Sequence, residues 1–174
     1  LCIASLGLMM LTGYTGQVSL GHAAFVAIGA YAHAWFLGKG VPLPLSLMLA
    51  ALWSAAAGLL VGLPAIRVSG LYLAMVTLAF SIIVEQVIGH WSSVTGGFTG
   101  MAVTDPQILG WALGGPRAFY FFCLTVLVLV LLALLNLLRS GFGRAMIGVR
   151  ESEAASYALG IPVNQVRASA FGLS

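Results

Sequence analysis

Apolar residues run along this chain in unbroken stretches rather than with the period of a helix or strand that has one wet face. Stretches 43–63, 68–90 and 118–138 are each close to the roughly 20 residues that a helix needs to cross hydrocarbon. The first and third carry no charge, and the second carries only Glu85. Stretch 21–37 is shorter, rich in Ala and Gly, and holds His22, Tyr31 and His33. Small residues suit a helix packed against protein rather than lipid. Residues 1–12 are apolar but short, and the linker TGYTGQVSLGH that follows is polar, glycine-rich and uncharged. The pattern predicts an all-α, polytopic bundle of transmembrane helices. Residues 1–37 form either one broken span or two helices, and another span starts at 168.

Composition removes the alternative of a soluble domain. The 174 residues are 61% hydrophobic and 6% charged, against about 25% charged in a soluble domain, and the mean hydropathy is +1.09. Seven Lys and Arg against four Asp and Glu are too few for a nucleic-acid-binding stripe. Cys2 and Cys123 stand far apart in apolar runs and suggest buried thiols, with neither a disulfide framework nor a metal-ligand spacing. The absence of an initiator Met, and an end inside an apolar stretch, give the sequence the look of a fragment truncated at both ends. No basic leader is visible.

The few charges orient the spans. Lys and Arg are retained on the cytoplasmic side, so segment 139–167, with Arg139, Arg144, Arg150 and Arg167, is placed inside. Counting backwards puts Arg67 inside and Lys39 and Arg117 outside. The outer connection holds TGGFTG, Asp105-Pro106 and Gly114-Gly115-Pro116, all turn-forming, with Trp91 and Trp111 at its membrane edges. In the inner segment, Gly141 and Gly143 read as breaks, 145–159 as one short helix, and Gly160 with Pro162 as its stop.

The candidate chemistry lies at 12–22. Uncharged polar residues and glycines between apolar half-segments fit a discontinuous membrane helix whose freed backbone lines a substrate cavity. Its exposed N–H groups would meet a carboxylate and its carbonyls an ammonium, with Tyr14, Gln17 and Ser19 adding hydrogen bonds. An ordinary loop between two spans fits the same composition. The two differ in topology, with Leu1 inside in the first case and outside in the second. Glu85 sits near the outer end of its span, where snorkelling competes with an ion or proton relay. His22, His33 and His90 lack metal-ligand spacing and read as packing or interfacial residues. The interleaved charges of the inner segment suit either docking in a partner's groove or lying on the membrane surface. No phosphate loop, HExxH or catalytic acid pair occurs, so the chain reads as a non-enzyme that takes its energy from a partner or a gradient.

Four runs, GYTGQVSLGHAAFVAIGAY, GLYLAMVTLAF, WSSVTGGFTGM and GFGRAMIGVRESEAASYALGI, resemble, in order, segments of the branched-chain amino acid ABC transporter permease family, closer to its M-type than to its H-type subunit. The resemblance implies an ABC importer permease fold with a short cytoplasmic coupling helix, in the cytoplasmic (inner) membrane of a prokaryote. Implied partners are a second homologous permease, two cytoplasmic ATP-binding subunits, an extracytoplasmic substrate-binding protein and membrane lipid, with no nucleic acid. No cofactor is implied for this chain, since ATP is used by the partners. The implied substrate path takes in Gly13, Tyr14, Gly16, Gln17, Ser19, Gly21, His22 and Thr77. The implied coupling region takes in Arg144, Arg150, Glu151, Glu153, Ala154, Ala155 and Gly160, and the external loop Thr95, Gly96 and Gly97.

Two positions depart from the wider patterns. Four residues rather than three separate Glu153-Ala154-Ala155 from Gly160. Ile82 stands where many relatives place an acid, which weakens a general role for Glu85. The function implied is translocation of branched-chain amino acids by alternating access. Other amino acids, urea or short amides are alternatives within the family, and a gradient-driven transporter, a channel or a membrane scaffold are alternatives outside it.

Overall fold

The structure is a computed structural model that describes residues 1–65, 68, 70–101, 107–108, 111–112 and 116–174. Arg67, Asp105, Pro106, Gly114 and Gly115, used above for orientation and turns, lie outside the described residues. Among the described residues the fold is all-α apart from an antiparallel ladder of two-residue strands, β1 (Gln107–Ile108) and β2 (Trp111–Ala112), in which Gln107 pairs with Ala112 and Ile108 with Trp111.

Helix α1 (Cys2–Met9) runs into a π turn (Met10–Tyr14). After an irregular stretch come α2 (His22–Gly38), α3 (Leu43–Ala65) and α4 (Leu71–His90). Short helix α5 (Ser92–Thr95) opens the next connection, and α6 (Pro116–Arg139) follows it. The last three helices are α7 (Gly141–Glu151), α8 (Glu153–Ala158) and α9 (Val163–Leu173). Within α3, α4 and α6, segments Leu43–Gly62, Leu71–His90 and Arg117–Arg139 are long and apolar enough to cross a membrane. In water their outward Leu, Ile and Phe side chains would be a liability, whereas in lipid they match the solvent. Helix α6 is the extreme case, with none of its span buried inside the chain.

Helix contacts depend on small residues and hydroxyls. Between α2 and α3, the Ser54 hydroxyl donates to the Phe25 carbonyl (2.9 Å), and the Ser46 hydroxyl lies 2.9 Å from His33 Nδ1 while donating to the Leu43 carbonyl. His33 is therefore a packing group between two helices. Helix α9 runs antiparallel along α3, and Gly58 and Gly62, one helical turn apart, let the two backbones touch at Phe171 and Ala168. The buried core lies at the basic end, where Met10 and Leu11 of the π turn, Met146 and Val149 of α7, and Val166 and Phe171 of α9 meet.

The inner segment differs from the expected single helix over 145–159. Helix α7 already starts at Gly141, and Gly143 is no break: a Cβ there would run into the Leu138 carbonyl, so glycine permits the tight corner between α6 and α7. Ser152 then splits the helix. Its backbone is extended (φ −159°, ψ 112°) and its hydroxyl accepts the Ala155 N–H at 3.2 Å, capping α8. A serine that bonds nearby backbone competes with helix continuation. Helix α9 starts at Val163, five residues before the expected start at 168, with Pro162 as its N-cap.

Candidate translocation site

The π turn ends α1 by an identifiable device. The Thr12 hydroxyl donates back to the Leu8 carbonyl (2.7 Å) and the Thr15 hydroxyl to the Leu11 carbonyl. Gly16 then adopts φ 68°, and the Gln17 N–H returns to the Leu11 carbonyl at 3.3 Å. This resembles a Schellman closure widened by one residue, and a left-handed residue at that position favours glycine.

From Gly16 to Gly21 the chain has no regular structure and doubles back along α1. His22 at the start of α2 lies beside Gly7, its Nε2 being 3.2 Å from where a Cβ on Gly7 would sit. The stretch is thus not one helix interrupted in passing. Its side chains alternate: Gln17 and Ser19 are 4% and 5% exposed, whereas Val18 and Leu20 are 46% and 55% exposed. Such a period of two is that of an extended strand, with polar groups facing protein and apolar groups facing away.

Thr77, wholly buried on α4, holds this segment in place. Its hydroxyl donates to the Ala74 carbonyl (3.0 Å) and accepts the Leu20 N–H (3.0 Å). Gly21 lies directly on the Thr77 carbonyl, where a Cβ has no room. Phe25 stacks on Phe80 with centroids 5.4 Å apart, which fixes α2 against α4. Gly16, Gln17, Ser19, Gly21, His22 and Thr77 are therefore brought to one place. Both amide atoms of Gln17, the Ser19 hydroxyl and His22 Nδ1 are buried there without a hydrogen-bond partner among the described residues. Buried polar groups are nearly always satisfied, so these atoms are expected to be met by water, by another part of the protein or by a polar ligand. Next to it, α2 begins without a side-chain cap, leaving free N–H groups and the positive end of the helix dipole. Tyr14 goes elsewhere and packs on the core, and Gly13 presents its carbonyl to Arg150.

The residues of the expected coupling region separate into distinct places. Arg144 donates to the Arg139 carbonyl at the end of α6 (3.3 Å), and Glu151 is exposed at the end of α7. Glu153 pairs with Arg167 of α9, and Tyr157 donates to Asn164 Oδ1 (3.0 Å), so α8 is tied to α9. Ala154, Ala155 and Leu159 are exposed around α8, Leu159 at 80%. Gly160 (φ 76°) closes α8 by a Schellman motif, with its own N–H on the Tyr157 carbonyl and the Ile161 N–H on the Ser156 carbonyl. The four-residue spacing before Gly160 is thus the distance from the first turn of α8 to its left-handed end.

Sequence reasoning missed Arg167 and Leu159, and did not foresee that Arg150 reaches Gly13. The charge pair had a faint signal, since Glu153 and Arg167 are two of very few charges in a shared segment. Because Glu153 is half exposed, removing the pair in Glu153→Gln is expected to lower stability by no more than about 1 kcal/mol. Glu153→Arg should cost more and be rescued by Arg167→Glu in the double variant. Melting temperatures of the wild type, Glu153→Gln, Glu153→Arg, Arg167→Glu and the double variant check this, and an additive double variant would mean that the two charges do not interact.

In the connection after α4 the Thr95 hydroxyl bonds the Ile88 (2.6 Å) and Trp91 (2.8 Å) carbonyls and accepts the Gly97 N–H (3.2 Å). Gly96 and Gly97, at φ 73° and 61°, fold the chain back over the end of α4. These three residues close a helix end. Glu85 is exposed on α4, and His90 Nδ1 bonds the Gln86 carbonyl at 2.9 Å.

Helices of bilayer length, an unwound polar-lined segment among them and a short helical pair at the basic end make this a polytopic membrane protein of the permease type. The sequence model of the family described as "Branched-chain amino acid transport system / permease component" matches residues 1–174, and the chain belongs to that family. It is similar to the high-affinity branched-chain amino acid transport system permease protein LivM of Salmonella typhimurium (strain LT2), at 35% identity over 201 aligned positions, covering 99% of this chain and 46% of the relative. LivM of Escherichia coli (strain K12) is 34% identical with the same coverage. The chain thus spans about half the length of the curated relatives it matches. No solved structure matches.

Proposed function

We propose that this chain is part of a permease subunit of an ABC importer, and that it helps form the path by which branched-chain, hydrophobic amino acids cross the cytoplasmic membrane. The observation that carries this reading is the buried polar row of Gln17, Ser19 and His22, whose amide atoms, hydroxyl and Nδ1 have no partner among the described residues, beside the uncapped start of α2. A zwitterion could place its carboxylate on the free N–H groups of α2 and its ammonium on carbonyls of the unwound stretch. The basic end carrying α7 and α8 faces the cytoplasm in this reading. There the exposed face of α8, with Leu159 at its tip, docks on one of two ATP-binding subunits. A second homologous permease completes the path, and an extracytoplasmic binding protein delivers the substrate. ATP is bound and spent by the partners.

The complete protein, purified by an affinity tag from its own membranes, is expected to retain an ATP-hydrolysing subunit. In liposomes the complex should accumulate labelled leucine only when ATP and the binding protein are supplied. Uptake by the permease alone, without ATP, would replace this reading with a gradient-driven carrier or channel. The lining groups are uncharged, so urea and acetamide belong among the competitors. If they compete better than leucine, the substrate assignment fails while the importer stands.

A further inference from the structure

Resting on that reading, we propose that Arg150 is a mechanical tie that fastens the coupling helix α7 to the carbonyl end of α1, so that movement of α7 is delivered directly to the unwound segment. The Arg150 guanidinium donates through Nη1 to the Gly13 carbonyl, 137 residues away in sequence. Its stem crosses Gly16, with Cγ 3.2 Å from where a Cβ on Gly16 would sit. A cation on the last carbonyls of a helix satisfies groups without an intrahelical partner and is favoured by the dipole there. The contact does not stand alone. Met146 and Val149 of α7 are buried in the same core as Met10 and Leu11 of the π turn, a core to which α2, α3, α4 and α9 also contribute, and α7 packs directly on the π turn. Close-packed bodies shift as units rather than deform smoothly. The chain leaves this core at Gly16, a left-handed glycine, and only then becomes the polar-lined stretch. Rotation about that glycine is the simplest way for a displaced α7 to change how Gln17 and Ser19 are presented. Arg150, itself exposed, is thus assigned a contact within this chain, whereas the exposed face of α8 is left for the ATP-binding subunit.

The test uses the complete complex in liposomes and reads leucine taken up per ATP hydrolysed, together with the amount of ATP-binding subunit that copurifies. Arg150→Ala should keep the ATP-binding subunit and lose about tenfold or more in uptake per ATP, the scale of one charge-assisted hydrogen bond. Arg150→Lys should fall between, because an ammonium still reaches a carbonyl. Loss of the ATP-binding subunit from Arg150→Ala would make Arg150 a docking residue and overturn the tie, and so would unchanged uptake per ATP. A covalent replacement gives a second reading. The Cβ position at Gly16 lies 3.9 Å from Arg150 Cβ, inside the roughly 3.5–4.5 Å that a disulfide spans. Gly16→Cys with Arg150→Cys, in a Cys2→Ser and Cys123→Ser background and with Gly16→Cys alone as control, should be uncoupled when reduced and regain coupling when oxidised. An oxidised form that stays uncoupled, or a pair that never oxidises, would overturn the proposal. A wild-type complex without ATP-driven uptake would remove the functional reading and the tie with it. A working wild type beside an equally working Arg150→Ala removes the tie alone.

Discussion

Gly21→Val is expected to abolish uptake and sharply reduce recovery of folded protein, and Thr77→Val to impair both, while Thr77→Ser stays close to wild type. The reason is the way one hydroxyl and one missing side chain hold the unwound segment on α4. A Cβ at Gly21 would meet the Thr77 carbonyl and the Thr77 Cβ. Backbone atoms cannot rotate out of the way, so α2 must move off α4, which breaks the Phe25–Phe80 contact as well. Overpacking of this kind costs about 1–3 kcal/mol before lost contacts are counted. Thr77→Val keeps the shape but removes the hydroxyl that accepts the Leu20 N–H. Loss of this part-buried bond costs about 1 kcal/mol. Serine keeps the hydroxyl and loses only a methyl group. Melting of the purified protein in detergent and initial rates of leucine uptake check the series. Wild-type melting and uptake in Thr77→Val would mean that the segment is not held by this bond.

Lipid explains why the long helices could be read from the sequence and the site only partly. A span must be apolar along its whole length, so 43–63, 68–90 and 118–138 are marked by composition alone, and α3, α4 and α6 occupy them. The unwound segment has no such mark. Thr12 to His22 has the residues of a loop and equally of a broken helix, and what separates the two is the reversal at Gly16. That reversal depends on Thr77, 57 residues from Leu20, and on Arg150, 137 residues from Gly13. A period of two was present in Gln17, Ser19 and Gly21 against Val18 and Leu20, but five residues are too short to tell from chance. Helix α7 shows the converse. Residues 145–159 favour helix almost throughout, so the propensity hides the break, which comes from Ser152 choosing its own backbone partner three residues on. Gly143 looked like a helix breaker because sequence shows only that a side chain is missing. The structure shows what needs the space, the Leu138 carbonyl.

Gly58→Leu should separate α9 from α3 and leave a protein that is poorly recovered and melts early, with Gly58→Ala intermediate and Gly38→Leu unaffected. In lipid, helices gain no hydrophobic energy by meeting, so their association rests on close packing and hydrogen bonds. The seam between α3 and α9 is made by Gly58 and Gly62, where any Cβ would press on the Phe171 carbonyl or the Ala168 backbone. A leucine at Gly58 would push the two backbones apart along the seam, and dispersion contacts fall steeply with such a gap. The damage extends beyond the seam. Helix α9 supplies Val163, Val166, Ala170 and Phe171 to the core that also buries Met146 and Val149 of α7, so a displaced α9 loosens α7 and the π turn as well. A cost of about 3 kcal/mol, the upper end for overpacking, is a large part of the roughly 5–15 kcal/mol that holds a domain together. Gly38 is the right control because nothing lies within 4 Å of a Cβ placed there, so its substitution adds apolar bulk without touching a neighbour. Equal melting temperatures for Gly58→Leu and Gly38→Leu would mean that α9 is held by something other than close approach at the glycines.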